Sequence, residues 1–160
     1  MLFINIGNDT YIKTASIKAV LDSNSKTGKK IKNKSEASDN FHNIVSRKSI
    51  RRSFIWMDDD TVYATSFTPE NINERLIESG KKMIKVDQGL YLSFDHIDVF
   101  SSFDSGLATK IRNVTRRTSD DFNFIRQAVK KNVTIFLKTG ETISVSLDVI
   151  ELLEKISELE

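Results

Sequence analysis

The sequence predicts an α+β fold built as two tandem copies of a small antiparallel-sheet unit, residues 1–80 and 81–160. Three observations predict it. Apolar character recurs at a lag of 80 residues: Phe3-Ile4-Asn5-Ile6 aligns with Met83-Ile84-Lys85-Val86, Tyr11-Ile12 with Tyr91-Leu92, Ile17 with Ile97, and Ile55-Trp56-Met57 with Ile135-Phe136-Leu137. Turn-forming residues separate these runs at matched places. Each copy closes on a stretch with helical spacing. One register along a whole unit, slipped by one residue where Ser38-Asp39-Asn40-Phe41 meets Ser119-Asp120-Asp121-Phe122, is the mark of a duplicated fold.

Taken in order, each copy reads β-β-β-α-β-β-α. Leu2 to Ile6 and Tyr11-Ile12 flank Asn8-Asp9, and the second copy has Asp87-Gln88-Gly89 at that place; these residues tolerate positive φ and so suit a hairpin. Ile17 to Leu21 and Ile97 to Phe100 form a third strand. A polar stretch leads to a short helix expected to start near Ser38 and Ser119, each followed by acids or amides that suit a cap and first turn. Ser53 to Met57 and Val62 to Thr65 flank Asp58-Asp59-Asp60; Val133 to Leu137 and Thr142 to Val145 flank Lys138-Thr139-Gly140. Aromatic and β-branched runs around a tight turn predict antiparallel pairing. Thr68-Pro69-Glu70 supplies a cap, a first-turn proline and an early acid, Ile72, Leu76 and Ile77 have helical spacing, and Gly80 is the stop. Val149, Ile150, Leu152, Leu153 and Ile156 make the richer stripe of the last helix.

Units this small bury limited apolar surface alone and are expected to pack on one another or on other chains. With no cysteine there is no disulfide framework and no thiolate metal site. No apolar run has the length of a membrane span, and the start lacks a basic flank with an apolar core, so a soluble cytoplasmic protein is expected.

The net charge is only +2, yet it is unevenly distributed. Lys26 to Arg52 holds nine Lys or Arg against two acids, net +7; Lys110 to Lys131 holds seven against two, net +5; Asp148 to Glu160 holds five acids and one Lys, net −4. A clustered basic face is the footprint of polyanion binding even when the total is near neutral. Lys30 and Lys32 flank Ile31, and Lys110 and Arg112 flank Ile111. If extended, each pair of cations lies on one face and the isoleucine on the other. Arg47, Lys48, Arg51 and Arg52 form a second run before a strand, with Arg116, Arg117, Lys130 and Lys131 as looser counterparts. Ordinary solvation of a strand face is the competing account for any one of them.

Nothing in the sequence argues for catalysis. His42 and His96 are not equivalent in the two copies, and no phosphate loop, nucleophile elbow or metal-ligand spacing is present. Asp58-Asp59-Asp60 suits a hard cation by composition, but its counterpart Lys138-Thr139-Gly140 does not, and a hairpin turn explains both. The expectation is no enzyme, no metal, no cofactor and no small-molecule substrate.

Phe3-Ile4-Asn5-Ile6-Gly7, Met57-Asp58 with Val62, and Pro69-Glu70, Ile72 and Arg75-Leu76 resemble the RemA-like family of bacterial extracellular-matrix regulators over roughly residues 2–77. The stretch from Met57 to Leu76 needs no gap. The second copy keeps the hydrophobic pattern without the signature residues, and its Phe136 to Glu141 and Leu152-Leu153 also resemble a LytTR-type DNA-binding segment. The resemblance implies a small DNA-binding transcription regulator that assembles into rings and presents arginines to phosphates. This chain departs from it with Ser16 and His96 where the family has an arginine at the third-strand entry, and with Ser49 and Ile50 where the family has an arginine pair; Arg52 matches a further family arginine. Together these observations predict a homo-oligomeric protein that binds double-stranded DNA through phosphate contacts, associating through sheet edges or the terminal helices. The alternative is an interaction or scaffold module whose basic faces meet an acidic protein.

Overall fold

The computed structural model describes residues 2–101 and 133–159. The chain is α+β and divides into two compact units, Met1–Asp95 and His96–Glu160. The first unit contains β1 (Phe3–Asn5), β2 (Tyr11–Lys13), β3 (Ile17–Asp22), α1 (Lys26–Ala37), β4 (Phe41–Asn43), β5 (Ser53–Met57), β6 (Val62–Thr65), α2 (Pro69–Glu78), β7 (Met83–Asp87) and β8 (Leu90–Ser93). The second contains β9 (Ile97–Ser101), β10 (Val133–Leu137), β11 (Thr142–Val145) and a last helix, α3 (Val149–Ser157).

Six strands of the first unit form one sheet in the order β4-β6-β5-β3-β8-β7, antiparallel except for the parallel pair β4-β6. β1 and β2 make a separate hairpin. Its turn runs through Asn8 at φ 50° and Asp9 at φ 52°, positions that short polar side chains tolerate. Alternation along the strands divides the core in two. Val20, Ile55 and Met57 pack with Ile72 and Leu76 of α2, with Ile4, Ile6 and Ile12 of the hairpin, and with Met83 and Tyr91. The alternate positions, Leu21, Phe54 and Trp56, are equally buried and lie on the opposite face, where α1 packs. The compact unit therefore carries past residue 80: β8 adds to the edge of β3, pairing Ala19 with Leu92, Val20 with Tyr91 and Leu21 with Leu90.

α2 follows the expected chemistry closely. Thr68 Oγ1 accepts from the Asn71 amide at 3.2 Å, Pro69 occupies the first turn, and Gly80 at φ 95° ends the segment. The first helix does not. It spans Lys26–Ala37, capped by Ser25, whose Oγ accepts from the Gly28 amide at 2.9 Å; Ser38 ends the helix that it was expected to begin. The counterpart at Ser119 lies outside the described residues. A short strand, β4, follows α1 and was not expected. It is held by its parallel register with β6 and by the Asn40 carbonyl accepting from the Val62 amide at 2.9 Å.

Gly28 is the point of closest approach between α1 and the sheet. A Cβ there would lie 2.4 Å from the Asp22 carbonyl oxygen and 2.8 Å from Ser25 Oγ. Gly28→Ala must lift the helix off the end of β3. Overpacking of this kind costs about 1–3 kcal/mol, outweighing the roughly 1 kcal/mol of helix propensity gained. The expected outcome is a lower urea midpoint for the first unit, read by the fluorescence of Trp56.

In the second unit the sheet order is β11-β10-β9, with Ile135 opposite Ile143 and Phe100 opposite Ile135. Asp148 caps α3 by accepting from the Glu151 amide at 2.8 Å. The elements recur at the spacing read in the sequence: β1 against β7, β2 against β8, β3 against β9, β5 against β10, β6 against β11 and α2 against α3. Two pairs of left-handed turn residues share that spacing, Asp9 at φ 52° with Gly89 at φ 67°, and Asp60 at φ 71° with Gly140 at φ 100°.

Candidate nucleic-acid interface

The basic residues sort into positions that extended alternation does not describe. Lys30, Ile31 and Lys32 lie in the middle of α1, so the expectation that both cations share a strand face is corrected. Residues two apart on a helix project roughly 200° apart. The buried stripe of α1 is Gly28, Ile31 and Ser35. Lys26, Lys29 and Lys30 are exposed on the outward side. Lys32 lies on the flank, where its ammonium is 3.4 Å from the Glu36 carboxylate and 5.9 Å from the Phe41 ring centre. Lys30→Ala is therefore expected to weaken polyanion binding more than Lys32→Ala, as direct titration of each variant with duplex DNA will show.

The start of α1 and the entry to β5 lie at one end of the sheet. Asp22 of β3, Ser53 of β5 and Thr65 of β6 are in register there. Ser23 ties the segments together: its amide donates to the Arg52 carbonyl at 3.0 Å and its hydroxyl to the Arg51 carbonyl at 3.0 Å. The Arg52 amide in turn donates to the Thr65 carbonyl at 2.9 Å. The backbone of Arg51 and Arg52 is thus fixed while both side chains are exposed, close to the positive end of the α1 dipole. Arg47 and Lys48 are exposed in the preceding turn, closed by the Ser49 amide donating to the Ser46 carbonyl at 3.1 Å. A shallow cleft lined by Gly7, Asn8, Ile44, Ser46 and Ser49 borders this turn. Lys110, Arg112, Arg116, Arg117, Lys130 and Lys131 lie outside the described residues.

Sequence reasoning missed Lys26 and Lys29 as members of this cluster. The N-cap Ser25 followed by the 28, 31, 35 spacing is the signal that finds them. It also missed Lys18, which turns out to be structural. Its side chain is fully buried on β3, with the ammonium 2.9 Å from the Asp60 carboxylate and 3.9 Å from the centre of the Trp56 ring. The acidic turn is likewise occupied locally. A hydrogen bond from the Thr61 amide, 3.0 Å away, leads the contacts that hold the Asp59 carboxyl below its ordinary value of 3.8. Among the described residues no group of three or more His, Asp or Glu side chains is placed to hold a metal. No described helix is long and apolar enough to cross a membrane.

Arg75 also belongs to the scaffold. Its guanidinium lies 4.6 Å from the Phe67 ring centre, Nε donates to Asn71 at 2.8 Å, and Nη1 reaches the Asn5 carbonyl at 3.5 Å, clasping the first hairpin to α2.

The first unit thus presents a small mixed sheet with an exposed cationic end. Residues 3–76 match the RemA-like family, described as extracellular matrix regulatory protein A-like. The match covers β1 to β6, α1 and α2 as far as Leu76, including Pro69 and Arg75, and leaves β7 and β8 outside it. No curated protein matches the chain.

Proposed function

We propose that the protein is a non-enzymatic, cytoplasmic DNA-binding regulator that contacts mainly the phosphate backbone and works as a homo-oligomer. The matched family is one of regulatory proteins, which points to a regulatory role. The observation that carries the DNA reading is the cluster Lys26, Lys29, Lys30, Arg51 and Arg52. These side chains are exposed, and Ser23 fastens their two segments together at one end of the sheet. No ion pair among the described residues engages any of the five. Cations on a rigid frame suit a polyanion of regular charge spacing, and such contacts position a protein without reading sequence. The LytTR resemblance of the second half supports the same reading.

The test is anisotropy of labelled random duplex DNA across a salt series. Binding that falls steeply with salt and is similar on unrelated sequences supports the proposal. Wild-type protein that ignores duplex DNA at low salt sinks it, and leaves an acidic protein as the partner for the same cations.

A further inference from the structure

We propose that the outer face of the β1-β2 hairpin is a stacking platform for unpaired bases, so that the protein takes single-stranded DNA on this face. This deepens the DNA-binding part of the proposed function and rests on it for the cations that hold the strand's phosphates.

The hairpin has two unlike faces. Its register sets Phe3 opposite Lys13, Ile4 opposite Ile12 and Asn5 opposite Tyr11. Ile4 and Ile12 are buried in the core of the first unit. Alternation puts Phe3, Tyr11 and Lys13 together on the other face. There Phe3 is 51% exposed and Tyr11 62%, and Lys13 is exposed beside them. The fold is able to cover side chains at these places: Met83 and Tyr91, which hold them in the β7-β8 hairpin 80 residues on, are each 6% exposed.

The two exposed rings sit on a fixed frame. The Ile6 amide donates to the Thr10 carbonyl and the Thr14 amide to the Leu2 carbonyl, each at 2.9 Å, so both ends of the hairpin are tied. Little ordering is left for a ligand to impose. Phe3 and Tyr11 are diagonal neighbours across the strand pair, about 7–8 Å apart. Aromatic rings displayed on a small sheet offer a face to any base, and successive bases of a single strand stack on them.

Charge selects the occupant. Lys13 lies within the platform, directly opposite Phe3. The Asn8 side-chain amide donates to the Ile44 carbonyl at 3.0 Å and so fastens the hairpin turn to the segment that carries Arg47 and Lys48. Rings beside cations match a strand whose bases stack while its phosphates follow the basic residues. The centre of a protein–protein interface is, by contrast, depleted in lysine. A duplex keeps the faces of its bases inside its own stack, so the ligand that uses these rings is single-stranded.

The test is anisotropy of labelled oligothymidylate, which cannot pair with itself, beside a duplex of random sequence. Wild type is expected to bind both. Phe3→Leu with Tyr11→Leu keeps apolar side chains at two exposed positions and removes both rings. It should weaken oligothymidylate binding by roughly 5- to 150-fold for each ring lost and leave duplex binding unchanged. Photocrosslinking of a bromouracil-substituted single strand to wild type reads the same site without a variant. Trypsin releases both rings in the peptide that ends at Lys13, and mass spectrometry should find the label there. Duplex bound and oligothymidylate ignored, an unchanged oligothymidylate affinity in the double variant, or label confined to other peptides overturns this inference and leaves the proposed function standing. Wild type that ignores both DNAs removes the two together.

Discussion

Affinity for duplex DNA is expected to fall steeply as salt rises, with a log–log slope set by the phosphates that the cationic end of the first unit neutralises. Each phosphate contact contributes about −0.9 to the slope, and six to ten contacts lose roughly 10³–10⁵-fold between about 50 and 200 mM salt. Lys26, Lys30, Arg51 and Arg52 replaced together by alanine should flatten the slope by about 3 to 4 and weaken binding similarly on unrelated sequences. The folded state should hardly notice, because exposed cations contribute little to stability. Glu151→Gln, Glu154→Gln and Glu158→Gln on α3 serve as the opposite control and should not weaken binding. A quadruple variant that keeps the wild-type slope places the contacts elsewhere and removes these residues from the interface.

Leu76→Ala carries the largest expected loss of stability. Leu76 is fully buried on α2, in one cluster with Ile4 and Ile12 of the first hairpin, Val20 and Ile55 of the sheet, and Met83 and Tyr91 of the second hairpin. Residues from three substructures share this cluster, so the site has little freedom to collapse around a void. Leucine-to-alanine changes in such cores cost about 2–5 kcal/mol, and this one is expected in the upper half of that range. Urea unfolding followed at Trp56 reads it, since that residue lies on β5 next to Ile55 of the cluster. A loss below about 1 kcal/mol would mean that the hairpins close the gap, and that the cluster is not a shared keystone.

The hairpins and α2 were legible in the sequence because their signals are local. Asn8-Asp9, Asp58 to Asp60 and Gly140 mark turns wherever the rest of the chain goes, and Thr68-Pro69 fixes a helix start within one turn. α1 was illegible because its buried stripe is Gly28, Ile31 and Ser35, one apolar residue among lysines, so no hydrophobic period announces it. Its packing depends on small residues admitting the helix to the end of β3, a tertiary fact. The misplacement of Lys32 beside Lys30 follows from that one error of period. β4 was hidden for another reason: Phe41-His42-Asn43 is three residues long and owes its conformation to β6. The cationic end was half legible. Composition located the charge, but the two hydrogen bonds from Ser23 that bring Arg51 and Arg52 to the start of α1 link residues 28 or more positions apart.

The docking of β7-β8 onto β3 bears on how the chain can be dissected. A fragment ending at residue 80 keeps every residue of the family match and still removes two strands of a six-stranded sheet. It strips the cover from Val20 and Leu76 and leaves β3, with its apolar run, as a bare margin. Such a piece invites insolubility during expression, whatever its pedigree. The cut that respects the physics lies at Asp95, after the second hairpin has closed the sheet.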